Sequence, residues 1–95
     1  MEIKDAYKQV MEAQLKEWGA QIDLLEARMK NPGAALKFDI AANLHELRLK
    51  QRVAFGQMRV LGKVSGESWE QAKETAEHIW RNLRTGVVNA NYKFK

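Results

Sequence analysis

The sequence holds no cysteine, one proline and six glycines in 95 residues. Without cysteine there is no disulfide framework, no thiolate metal site, no redox CxxC pair and no cysteine nucleophile. So few prolines and glycines argue against an all-β sandwich, which needs many tight turns. The longest charge-free stretches, Val53–Met58 and Thr85–Tyr92, fall far short of the roughly 20 residues that cross a bilayer. Met1-Glu2-Ile3-Lys4-Asp5 lacks the apolar core of a signal peptide, and Tyr92-Lys93-Phe94-Lys95 matches no lipidation motif. The expectation is a soluble cytoplasmic protein.

What is there is 45% hydrophobic and 29% charged residues with a net charge of +4. That is too apolar for a disordered chain, and the length suits one domain, residues 1–95. Ile3, Tyr7, Met11, Leu15, Trp18, Ile22, Leu25 and Met29 step by 3 or 4. After the proline the row resumes with Leu36, Ile40, Leu44, Leu47, Gln51, Ala54, Met58 and Leu61. The mean spacing is about 3.6, the period of a straight α-helix, and no long segment alternates as a strand does. The chain reads as all-α.

Asn31-Pro32-Gly33 is the first break, because it joins a pre-proline residue, a missing N–H and a glycine. Gly62-Lys63-Val64-Ser65-Gly66-Glu67 is the second. Ser68 then reads as an N-cap with Gln71 completing a capping box, and Trp69, Ala72, Ala76, Ile79 or Trp80, Leu83 and Val87 form a third row. Thr85-Gly86 reads as its end. The expected helices cover about 2–30, 34–62 and 68–85, with a tail at 86–95.

Two antiparallel helical coiled coils satisfy this pattern. If Asn31-Pro32-Gly33 turns the chain, the result is an up-down-up three-helix bundle. If Pro32 only kinks it, the first two helices make a rod of roughly 90 Å at 1.5 Å per residue. The shorter C-terminal helix then folds back on one end, and the bare apolar face demands an oligomer.

Met11-Glu12-Ala13-Gln14-Leu15-Lys16-Glu17-Trp18, Ile22-Asp23, Glu46-Leu47-Arg48 and Ser65-Gly66-Glu67-Ser68-Trp69-Glu70 resemble a family of small uncharacterised bacterial coiled-coil-domain proteins. The resemblance spans most of the chain. It carries over no activity, cofactor or catalytic residue. Those relatives have an unbroken Ala/Lys/Asp-rich helical stretch where this chain has Asn31-Pro32-Gly33, so the resemblance implies a rod.

Charge is laid out in blocks. Arg48, Lys50, Arg52, Arg59 and Lys63 stand in a segment with no acid, followed by Glu67, Glu70, Glu74 and Glu77. One reading of the basic block is a contact for nucleic acid or anionic lipid. The other is a hairpin, with the basic end of the second helix paired to the acidic start of the third and the macrodipoles in agreement.

Motifs for chemistry fail on spacing. Gly62-Lys63-Val64-Ser65 echoes a phosphate loop, yet Gln57 stands where its first glycine belongs. His45 and His78 are the only imidazoles. Neither has a glutamate three residues before it, and Glu46 is followed by Leu47-Arg48-Leu49 where HExxH needs a second histidine. Catalytic, cofactor and metal residues are accordingly expected to be none.

The expected function is non-enzymatic association, as self-assembly or as an accessory subunit of a larger assembly. The partner is the chain itself or another protein. Packing or interface residues are Trp18, Ile22, Leu25, Met29, Leu36, Ile40, Leu44, Leu47, Met58, Leu61, Trp69, Trp80 and Leu83. The alternative is an amphipathic protein that lies on a membrane surface or a polyanion through Arg48, Lys50, Arg52, Arg59 and Lys63.

Overall fold

The computed structural model describes residues 3–28 and 34–94, with side chains from residue 37 onward in the second helix. Helix α1 spans Ile3–Arg28, α2 spans Ala34–Leu61 and α3 spans Glu67–Lys93. Asn31-Pro32-Gly33 lies outside the described residues. Among the described residues, α2 runs back antiparallel along α1. The greatest extent of the molecule is 51 Å, not the roughly 90 Å that a continuous rod would reach. The up-down-up bundle is the architecture, and the rod is excluded.

Long-range contacts fix the directions. Arg48 on α2 reaches Asp23 and Glu26 near the end of α1. The Gln57 side-chain amide donates to the Ala72 carbonyl at 2.9 Å, joining the end of α2 to the start of α3. Helices α1 and α3 run in the same sense. The Trp80 indole N–H donates to the Met11 carbonyl at 3.3 Å, Asn91 donates to Gln21 at 2.6 Å, and Arg28 donates to the Phe94 carbonyl at 2.9 Å.

The helical rows meet in one core. Met11, Leu15, Trp18, Ile22 and Leu25 of α1 face Ile40, Leu44, Leu47, Ala54 and Leu61 of α2 and the Trp69–Val87 row of α3. Trp18, Trp69, Trp80 and Leu83 are buried as expected, and Met58 packs against the core from a half-buried position. Met29 and the Leu36 side chain lie outside the described residues. Gln51, the polar member of the α2 row, accepts a hydrogen bond from Arg48 at 3.1 Å. Its amide nitrogen lies 3.2 Å from where a Cβ on Gly19 would stand, so glycine gives it room against α1.

Two expectations at α3 are corrected. The helix begins at Glu67 with Gly66 as its N-cap, and no side chain caps it. Ser68 therefore sits inside the first turn. Gly66 has φ +62°, a conformation open to glycine and strained for other residues. The helix also runs through Thr85-Gly86 to Lys93 instead of leaving a tail. Gly86 serves packing: a Cβ there would stand 2.9 Å from Leu47 Cδ2. Beyond it Val87, Ala90 and Phe94 are buried, and Arg28 holds the Phe94 carbonyl.

Candidate interaction surface

Helix α2 carries two apolar rows. The inner one faces the core. The outer one, Phe38, Ala42, Leu49, Val53, Gly56 and Val60, steps by 4, 7, 4, 3 and 4 residues. At 3.6 residues per turn it lies about 180° round the helix from the inner row. Its large members are open to solvent, at 75% for Phe38, 57% for Val53, 45% for Leu49 and 42% for Val60. A Cβ on Gly56 would meet nothing within 4 Å, so this ridge has nothing above it.

A groove adjoins the ridge on either side. Toward α1, Phe55 stands over a mostly apolar depression of about 640 Å³ with Leu15 and Met58 at its base and Glu12, Lys16 and Arg59 at its rim. Toward α3, Leu49, Val53 and Ile79 line a smaller one of about 170 Å³ with Lys50 and Asn82. A side chain arriving on the ridge therefore has apolar recesses to enter on both flanks.

The fold splits the basic block. Arg48 turns toward α1, 2.8 Å from Asp23 and 2.7 Å from Glu26, and these hydrogen bonds hold its guanidinium more firmly protonated than usual. Lys50 leans toward α3, with its Nζ 3.7 Å from Glu46. Arg52 and Arg59 are exposed along one flank of the outer ridge, and Lys63 is exposed in the turn that follows α2. Among the described residues they make no ion pair.

The expected charge pairing between α2 and α3 is absent among the described residues, which is a correction to the hairpin account. The turn does bring the helices together antiparallel. Rotation about their axes sends the charges elsewhere. Arg59 borders the α1–α2 groove and Glu77 borders the α1–α3 cleft, so α1 stands between the two rows. Residue spacing sets a row's continuity but not which way it faces.

The α1–α3 cleft, about 570 Å³, is lined by Tyr7, Trp18, Trp80, Glu17, Glu77 and Arg81 among others. The Tyr7 ring meets Trp69 edge-on, with centroids 5.6 Å apart, and Lys73 Nζ sits 5.5 Å from its centroid. The Tyr7 hydroxyl is buried without a hydrogen-bond partner. Burial, and then the nearby Glu77 charge, push its pKa above 10.0. Lys4 lies 5.4 Å from the Trp69 centroid, closing this aromatic stack from the other side. The stack fastens the first turns of α1 onto α3.

His45 and His78 are both exposed. Among the described residues no group of three histidines or carboxylates comes close enough to hold a metal ion. No described helix is long and apolar enough to cross a membrane. Neither a family model, nor a curated protein sequence, nor a solved structure matches this chain. The outer row was present in the sequence at helical spacing. Helical spacing alone does not tell which of the two α2 rows the core takes, and Phe38, Leu49, Val53 and Val60 are distinguished from the core residues only by their exposure in the fold.

Proposed function

We propose that the protein is a non-enzymatic helical association module that pairs helix to helix through the outer face of α2. One observation carries this reading: a second apolar row, free of cover, on a helix whose first row already closes the bundle. Of the ten large hydrophobic residues that stand exposed among the described residues, five are on α2. Scattered exposed apolar residues need no explanation, but a row of them continuing over more than 20 residues of one helix marks a contact surface. The reading keeps the resemblance to small bacterial coiled-coil-domain proteins and a cytoplasmic setting, which the lack of cysteine suits.

The second reading, an anionic lipid surface or polyanion, is favoured by Arg52 and Arg59 along the ridge and Lys63 in the turn after it. Against lipid stand the exposed carboxylates of Asp39 and Glu46 along the other flank of the ridge.

The test is an array of amphipathic helical peptides of varied flank charge, run beside flotation on phosphatidylglycerol vesicles. Retention of helical peptides, abolished by Leu49→Asp with Val53→Asp at unchanged melting temperature, is the expected result. Vesicle binding lost on Arg52→Glu with Arg59→Glu, and no peptide retained, overturns it.

A further inference from the structure

We infer that the occupant of this ridge is a second copy of the chain, with α2 packed antiparallel on α2 about a two-fold axis at Leu49. This rests on the association reading above and names its partner. The argument is self-complementarity. Counted outward from Leu49, four of the other five row members pair by distance, and the fifth, Val53, meets the exposed His45. Phe38 and Val60 are equidistant from it at the two ends, and Ala42 and Gly56 are equidistant within. Turned end for end on itself, the row sets the large residue Phe38 against Val60 of the other copy. It sets the small residue Ala42 against Gly56, and Leu49 against Leu49.

Close approach is permitted where it is needed. Ala42 is exposed, and the space above Gly56 is empty. The charges agree with this direction as well. Glu46 and Lys50 flank Leu49 on the side toward α3 and lie 3.7 Å apart within one copy. In the antiparallel pair, Glu46 of each copy lies about 3 Å along the axis from Lys50 of the other, within reach of an ion pair. On the opposite flank Arg59 comes against Ala41 and Phe38, and Arg52 against His45 and near Arg48, whose charge Asp23 and Glu26 offset. A parallel pair would bring Arg52 of one copy beside Lys50 of the other and align the helix macrodipoles.

The size of the contact sets its strength. From Phe38 to Val60 the seam runs about 33 Å at 1.5 Å per residue. A seam of that length buries on the order of 1,000 Å², the lower end for specific association. The dimer is closed by symmetry and not open to growth.

The absence of native cysteine makes single-thiol crosslinking a clean test. At several hundred micromolar protein, Leu49→Cys crosslinks to itself through a short bis-maleimide. Phe38→Cys mixed with Val60→Cys gives a mixed product. Phe38→Cys alone gives no more than the exposed α1 control Ala13→Cys. Adding Leu49→Asp to the Phe38→Cys and Val60→Cys pair lowers the mixed product at least tenfold.

Crosslinking of Phe38→Cys to itself as readily as Leu49→Cys overturns the inference, since that is the parallel arrangement. Yields for every variant no greater than the control overturn it too. If foreign amphipathic peptides are still retained by the ridge, only the choice of partner has failed. If they are not, the association reading falls with it.

Discussion

The inner and outer faces of α2 both carry apolar residues at helical spacing, yet they meet opposite surroundings. Leu47 is 3% exposed and Leu49, two positions on, is 45% exposed. Two of the helix-interior glycines, Gly86 and Gly56, repeat the contrast: Leu47 closes over one and nothing closes over the other. An apolar row at helical spacing states that a face is to be covered. It does not state by what. Here α1 and α3 cover one row within the chain, and the second stands open to solvent.

The comparison is sharpest at the two leucines. Leu47→Ala is expected to destabilise the monomer by about 2–5 kcal/mol, because it removes buried methyl groups and leaves a cavity. Leu49→Ala is expected to change it by less than about 0.5 kcal/mol. Urea unfolding at micromolar or lower concentration checks both, and equal losses would erase the distinction between the faces. Next comes Gly86→Leu, expected to destabilise by about 1–3 kcal/mol through overpacking against Leu47. Gly56→Ala, measured under the same dilute conditions, is expected to stabilise by about 0.5–1 kcal/mol, since helix propensity improves and the new methyl meets nothing.

The smallest effect concerns the α1–α3 cleft. Folding raises the Tyr7 pKa above its unfolded value of 10.0. The neutral phenol is thus the form the folded state favours, and its stabilisation is present in full below pH 10.0. As pH rises past that value the unfolded chain ionises first and stability falls. Tyr7→Phe is expected to leave the neutral-pH melting temperature within about 2–4 °C, because the hydroxyl it removes has no partner. It also removes this part of the alkaline loss. Parallel melting curves for both proteins between pH 9 and 11 would show no benefit from the variant if the hydroxyl were solvated.

Three helices, their order and most of the core were legible in residue spacing, because a 3.6-residue repeat and the glycine and proline breaks are local signals. The end of α3 was not. Thr85-Gly86 has the local chemistry of a stop, but Gly86 stands there to admit Leu47, and Phe94 is held by Arg28, which is 66 residues away in sequence and adjacent only in the fold. The partners of the basic block were missed for a related reason. Arg48 finds Asp23 and Glu26 on α1 because of how α2 is rotated, and rotation is settled by the packing of all three helices at once. Phe38, Leu49, Val53 and Val60 also sit at helical spacing, but that they stay outside the core depends on the rotation of α2.

Sedimentation equilibrium tests the central claim most directly, run from micromolar to several hundred micromolar on the natural chain and on Leu49→Asp with Val53→Asp. The account predicts a mass rising from 10.9 kDa toward twice that value for the natural chain. The variant is predicted to hold the single-chain mass throughout, with its helical content and melting temperature unchanged in dilute solution. A natural chain that keeps the single-chain mass at every concentration, or a variant that associates as well as the natural chain, would contradict the outer face of α2 as the seam between copies.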